Sequence, residues 1–459
     1  MKRALILLFS VLPASLILLS CGASTPSSSG GGSGLKYRAF VTNAVGSGSG
    51  SAGVFVVNAA TDVRGAVAPI AAGNTPGMMV LTPNRGQTLV FSGTGTQFTD
   101  NQFTIINNTS ESAAAHVTLP GPTESFVVSP DGSAAYVAVP TAPVVGQSPG
   151  LVKVISLNTG SFTGEVDIPS VRFLSIDHSG NRILGFSDNS DSVAVITPSN
   201  IGIGNAVTSI GGPGVFDRPV AAFFSSDDNT AFVVSCGAEC GGTQASVQQF
   251  SLLTNSLVAS VPACIPIPGS NPPVCAGPAA GSTALVSGST MYLAGTPYFA
   301  GGGGPSLKCP SGTTQAEFCG LLTVFDLSTM TVTNTAPIII TDGYHNRIAL
   351  GANGRLFVGA STCAEITPPI PPPQGAETRG CLSIYNTQTG AVVIPPANGE
   401  VTGIEPIAKR TVVYVAQGGT LRIYDTATDA LEHNPNNPNN PGQIFGLIGE
   451  FFDVKTVDF

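Results

Sequence analysis

Only 10% of the 459 residues are Asp, Glu, Lys or Arg, so the charged side chains can be weighed one by one. Glu124, Arg172, Asp217 with Arg218, His345 with Arg347, and Glu405 fall where the chain leads into short apolar runs. Gathered on one rim, such groups could bind a cation, a sugar or a small acid. Carboxylates accept hydrogen bonds, a guanidinium donates them in a planar fork, and an imidazole does either. Kept apart, they are ordinary solvated charges that form rim salt bridges and cap strand ends. The acidic turns Asp188-Asn189-Ser190-Asp191 and Asp227-Asp228-Asn229 offer oxygen atoms suited to Ca2+. Neither has the D-x-D-x-D-G spacing, and turn chemistry accounts for both. No nucleophile elbow, Walker loop or paired-His zinc motif occurs, so no catalytic residue is assigned and no cofactor is expected beyond a possible divalent cation. The other histidines, His116, His178 and His433, are scattered, and the last two read as solvated turn or loop residues.

The elements that must position these groups are hairpins. Ser125 to Pro140 is the clearest: Phe126 to Ser129 is apolar and β-branched, Pro130-Asp131-Gly132 is a turn, and Ala135 to Val139 is apolar again. The pattern recurs. Paired runs are expected at 39–43 with 54–58, 88–92 with 103–107, 135–139 with 152–157, and 182–187 with 192–197. Four more follow at 230–235 with 246–251, 290–295 with 321–326, 355–360 with 381–386, and 411–416 with 420–425. Weaker third runs follow, such as Phe162 to Ile168 after Asn158-Thr159-Gly160. A unit of about 45 to 65 residues with four antiparallel strands has the size of a propeller blade. The first pair lacks a preceding strand, and Phe451 to Phe459 supplies one. An all-β propeller of eight blades closed by this last strand is the expected fold, with seven blades as the alternative. Closure removes exposed sheet edges.

Ser129-Pro130-Asp131-Gly132 with Tyr136-Val137-Ala138 resembles YVTN-type β-propeller repeats, and Thr82 to Gly86 and Val413 to Ala416 resemble them more loosely. The resemblance spans nearly all of 37–459, is specific for fold and is poor for function. Lactonase-like propellers belong to the same broad group. It therefore implies, as a rival to a binding module, a metal-dependent hydrolase with a channel-mouth ion held by Glu124, His345 and Glu405. A quinoprotein-like cofactor site is a further rival, weakened because the chain has no Trp on which to stack a cofactor.

The N-terminus is a targeting segment. Lys2 and Arg3 precede the apolar run Ala4 to Leu19, and Leu18-Leu19-Ser20-Cys21 resembles a bacterial lipobox, which makes Cys21 the lipidated first mature residue. Residues 1–20 are thus read as signal peptide, 21–36 as lipidated Cys and Gly/Ser-rich tether, and 37–459 as one propeller domain. Gly22, with no Asp behind the lipid site, favours the outer membrane by resemblance to Gram-negative lipoproteins. The net charge of −9 becomes more negative when Lys2 and Arg3 leave. That argues against nucleic acid and against any broad basic patch docking on anionic lipid. An envelope protein or a small polar ligand is the expected partner, and a monomer the expected state. Eight cysteines besides Cys21 fall in close pairs: Cys236 and Cys240, Cys264 and Cys275, Cys309 and Cys319, Cys363 and Cys381. Eight cysteines allow about 105 pairings, of which local pairing is the expected one, in an oxidising compartment.

Overall fold

The repeated turn is built by side chain to backbone bonding. Ser129 Oγ donates to Asp131 at 2.5 Å, Ser133 N donates to the same carboxylate at 3.0 Å, and Gly132 takes φ of 71°. These bonds, led by that from Ser129, hold the Asp131 carboxyl below its usual range. Two blades on, Ser225 Oγ donates to Asp227 at 2.6 Å and Asn229 N donates at 3.1 Å, with Asp228 in the left-handed region. The same local chemistry thus reverses the chain between the first two strands of different sheets.

The computed structural model describes residues 32–44, 52–91, 100–270, 275–297, 319–363, 380–395, 399–433, 442–444 and 446–458. The signal segment, Cys21 and most of the tether, Cys309, the Pro-rich run 368–373 and most of the Asn-Pro run 434–442 lie outside them. Eight antiparallel sheets are present, so the expectation of eight blades holds and seven is set aside. Blade 3 is typical: Ser125–Val128, Ala134–Val139, Leu151–Ser156 and Ser161–Asp167, each paired with the next. In blade 6 the outermost strand is in two pieces, Thr331–Val332 and Ile338–Ile340, both on Gly320–Asp326.

Blade 1 takes its innermost strand from the far end of the chain. Glu450–Thr456 pairs with Arg38–Ala44, Val41 facing Val454. Arg38 donates from its backbone N and its Nε to Asp458 Oδ2 at 2.9 and 2.7 Å. Asp453, buried in this strand, accepts from Met79 N of blade 2 at 2.8 Å, so the closing strand also reaches the next blade.

Because successive residues of a strand face opposite ways, each sheet feeds two cores. Ala135 and Val137 pack toward blade 2 (residues 78–118), while Tyr136 and Ala138 pack toward blade 4 (residues 171–211). The apolar clusters each sit between consecutive blades, including one between blades 8 and 1 that joins Tyr414 and Ile423 to Val41 and Phe55. That last cluster makes the ring continuous.

Disulfides join Cys236 to Cys240, Cys264 to Cys275 and Cys363 to Cys381, each with a Cα–Cα distance of 5.6 Å. Cys319 is disulfide-bonded as well. This much bonding points to an oxidising, extracellular-type environment. No helix among the described residues is long and apolar enough to cross a membrane.

Candidate functional site

The inner strands converge on two adjoining cavities. The larger, about 530 Å³, is lined by Glu124, Arg172, Asp188, Arg218, Glu239 and Tyr344, among others. The smaller, about 290 Å³, takes Met78, Ser125, Leu174, Ala221, Thr283, His345 and Phe452 from the inner strands of seven blades, which places it on the ring axis. Glu124, Phe173, Val220 and Tyr344 line both.

Bulges bring polar groups to this rim. The register slips between Val171 and Phe173, Pro219 and Ala221, His345 and Arg347, and Val401 and Gly403. The same step near the start of four inner strands leaves Arg172, Val220, Asn346 and Thr402 as the extra residues. A bulge leaves its residue outside the ladder and re-aims the side chain. Arg172 uses this freedom to fork onto Glu124, Nε to Oε2 at 2.9 Å and Nη2 to Oε1 at 3.1 Å, and to reach Asp188 Oδ1 from Nη1 at 3.2 Å. Arg218 stands in the left-handed region at φ 56°. Its backbone N and Nη1 both donate to Asp191 Oδ1, at 3.2 and 3.0 Å, while its Nε is buried without a hydrogen-bond partner.

Glu239 comes to the larger cavity from outside the inner strands. It sits in the short turn Gly237–Cys240, closed by the Cys236–Cys240 bridge. Gly237 is needed there: at φ 64°, a Cβ would stand 2.1 Å from the backbone N of Ala245. The Glu239 residue is half-buried, but its Oε1 is shut away and has no partner, while Oε2 accepts from Thr296 N at 3.0 Å. Burial pushes the carboxyl up to about 8, so it is largely protonated at neutral pH. Burial likewise pushes the Tyr344 phenol up to about 12, with the Glu124 charge adding.

In the smaller cavity His345 is fully buried. Its Nε2 donates to Thr341 O at 3.0 Å, its Nδ1 has no partner, and burial pushes it down to about 4, so the ring is neutral. Arg347 spends Nε on Thr402 O at 2.6 Å and Nη1 on Asn346 O at 2.7 Å, and burial holds it below its usual range.

Of the residues singled out in the sequence, Glu124, Arg172 and Arg218 share the larger cavity, and Glu124, His345 and Arg347 share the smaller. Two do not line either. Asp217 turns its carboxylate to Thr243 N and Gln244 N at 2.9 and 2.7 Å, holding the loop after the Cys236–Cys240 bridge. Glu405 accepts from Thr456 N at 2.8 Å and faces Lys455 Nζ at 3.9 Å, so it secures the closing strand. Arg172, His345, Arg347 and Glu405 lie within the inner strands themselves rather than in the segments that lead into them. Among the described residues no three His, Cys, Asp or Glu are grouped as ligands of a metal ion would be. His178 is exposed in its turn, as expected, and meets Asp228 of the neighbouring blade at 2.7 Å.

Glu239, Tyr344 and Asp188 are the site residues that sequence reasoning missed as such. Asp188 was visible as part of an acidic turn. Glu239 carried a usable signal, an acid inside a Cys pair separated by three residues.

No family model matches the chain, and no curated protein matches it. Solved structures do. Dihydro-haem d1 dehydrogenase NirN in complex with DHE superposes with a TM-score of 0.54 at 13% identity, over 92% of this chain and 75% of that one. A eukaryotic initiation factor gives 0.49 at 12% identity, over 92% and 99%. The β-propeller domain of Cps50 (Swd1) from Myceliophteria thermophila gives 0.48 at 10% identity, over 78% and 99%. At such identities the NirN likeness shows a shared propeller fold and nothing about chemistry.

Proposed function

We propose that this chain is an exported, lipid-anchored β-propeller that binds a small polar ligand at the mouth of its central channel, at the cell envelope. One observation carries the binding reading: inner strands and one disulfide-closed turn bring Glu124, Arg172, Arg218, Glu239 and Tyr344 to a single cavity of about 530 Å³. That lies within the range of about 300–1,000 Å³ usual for small-ligand sites. The lipobox-like Leu18 to Cys21 and the Gly/Ser-rich tether support anchoring, and the disulfides fit an exported protein. A metal hydrolase is less well supported, because two of its three expected ligands are engaged elsewhere. Glu124 is forked by Arg172 and Glu405 is spent on the closing strand, while His345, with Nε2 on Thr341 O, lines the smaller cavity without Glu405.

Scanning fluorimetry of residues 22–459 and its Arg172→Gln variant, against sugars, amino acids, carboxylic acids and Ca2+, tests the binding reading. A ligand present at a hundred times its Kd stabilises the folded state by about 2.7 kcal/mol. At least one solute is expected to raise the wild-type melt and to do so less in the variant. No shift from any solute, or equal shifts in both proteins, would overturn it. For the anchor, Cys21→Ala is expected to release the protein from membranes, and its retention there would overturn that part.

A further inference from the structure

Resting on that binding reading, we infer that the channel-mouth site takes a neutral polyhydroxylated ligand, a saccharide of one or two rings, in preference to an acid or a metal ion.

The charges at the larger cavity are already matched. Arg172 is held by Glu124 and Asp188, and Arg218 by Asp191. An anionic ligand in the larger cavity would find both guanidiniums already paired with carboxylates and would meet Asp188 and Glu124; Arg347, in the smaller cavity, is turned to the backbone carbonyls of Thr402 and Asn346. A metal ion would have to take carboxylate oxygens away from guanidinium groups or displace the proton of the Glu239 carboxyl. A neutral ligand rich in hydroxyls meets neither penalty. Each hydroxyl both donates and accepts, and a paired carboxylate and guanidinium present acceptors and donors side by side.

Two further features suit the same class. Arg218 and Glu239 both line this cavity, and each keeps one polar atom, Nε and Oε1, shut away from solvent without a hydrogen bond, so a ligand gains these partners where the side chains turn toward it. Arg218 Nε is a donor. Glu239, as a neutral carboxyl, also has a donor to offer, which ring or hydroxyl oxygens accept. Phe173 and Tyr344 add aromatic walls between these polar points, and a sugar ring has apolar C–H faces to lay against them.

Isothermal titration of residues 22–459 decides the matter, with cellobiose and N,N′-diacetylchitobiose as neutral probes, succinate and citrate as acidic ones, and CaCl2 as the metal. At least one disaccharide is expected to bind, about tenfold more weakly to Arg172→Gln, which loses one forked charge-assisted pair. Glu239→Gln, which keeps a donor, is expected to retain binding, and Glu239→Ala to lose it. Equal melting temperatures of the variants would show that these losses are not misfolding. Binding of succinate, citrate or Ca2+ with the same dependence on Arg172 would overturn the saccharide assignment while leaving the site in place. If no probe binds, or disaccharide binding ignores both residues, the inference falls. In that last case the fluorimetry panel decides separately whether the site itself survives.

Discussion

Arg172 grips Glu124 through two parallel hydrogen bonds of 2.9 and 3.1 Å, and so ties the loop ahead of the inner strand of blade 3 to the bulge of blade 4. The Arg172 side chain is 39% exposed, so solvent screens the pair. Arg172→Lys keeps the charge but loses the fork. It should cost about 1 kcal/mol or less in a urea titration. A loss of several kcal/mol would make this pair a structural clamp and remove it from the ligand site.

Glu239 gives the protein a distinctive pH response. Its folded carboxyl releases its proton at about 8, and the unfolded one near the ordinary value of 4.5. Between those values the folded state binds more protons than the unfolded, so this group makes stability fall as pH rises through the window. The buried His345 acts oppositely, from its ordinary 6.5 down to about 4, because there the unfolded chain takes up the proton first and stability falls as pH drops. The Glu239 decline should therefore show most cleanly between pH 6.5 and 8. Melting curves of wild type and Glu239→Gln should diverge there, the variant keeping its stability. Parallel curves would refute the burial argument.

The Cys236–Cys240 bridge closes a loop of only four residues' separation, whereas Cys363–Cys381 closes one of 18. On loop-entropy grounds the first should be worth roughly 2 kcal/mol and the second roughly 3. The short bridge carries the Glu239 turn, so the double Cys236→Ser, Cys240→Ser variant should lose ligand-induced stabilisation while losing less stability than the double Cys363→Ser, Cys381→Ser variant. Calorimetry with and without ligand separates the two effects. Unchanged ligand response in the first variant would detach the bridge from the site.

Removing residues 450–459 should expose the inner edge of Arg38–Ala44 and leave Met79 N without Asp453. The expected result is aggregation on a sizing column, or a melting temperature lower by well over 10 °C. A milder probe is Asp453→Asn, expected to destabilise by about 1–3 kcal/mol, since one oxygen that accepts from buried donors becomes an amide nitrogen. A near-native melt for the truncated chain would contradict the closure argument.

The blades were legible because each rests on local signals: a turn such as Pro130-Asp131-Gly132 beside β-branched runs like Ala135 to Val139. Closure was legible from a count of strands, with Phe451 onward as the spare. The rim was only partly so. Scarcity of charge singled out Arg172 and Arg218, but scarcity does not say which way a carboxylate turns. Asp217 and Glu405 went to backbone N–H groups of neighbouring segments, a choice settled by three-dimensional proximity. Bulges at Arg172 and Asn346 leave no mark in composition. The raised Glu239 carboxyl depends on packing around a loop whose burial no residue pattern encodes.

The strand that closes the ring also has a bearing on timing. Thr42 and Asp453 meet across 411 residues, so the inner edge of the first blade has no cover until the whole circuit is laid down. Loop closure over such a span is slow compared with forming any single hairpin. Until then the bare edge is a template for the same strand of another molecule. The assembly error to expect is accordingly strand exchange between two copies, each lending its Glu450–Thr456 to the other, and dilution during refolding should suppress it.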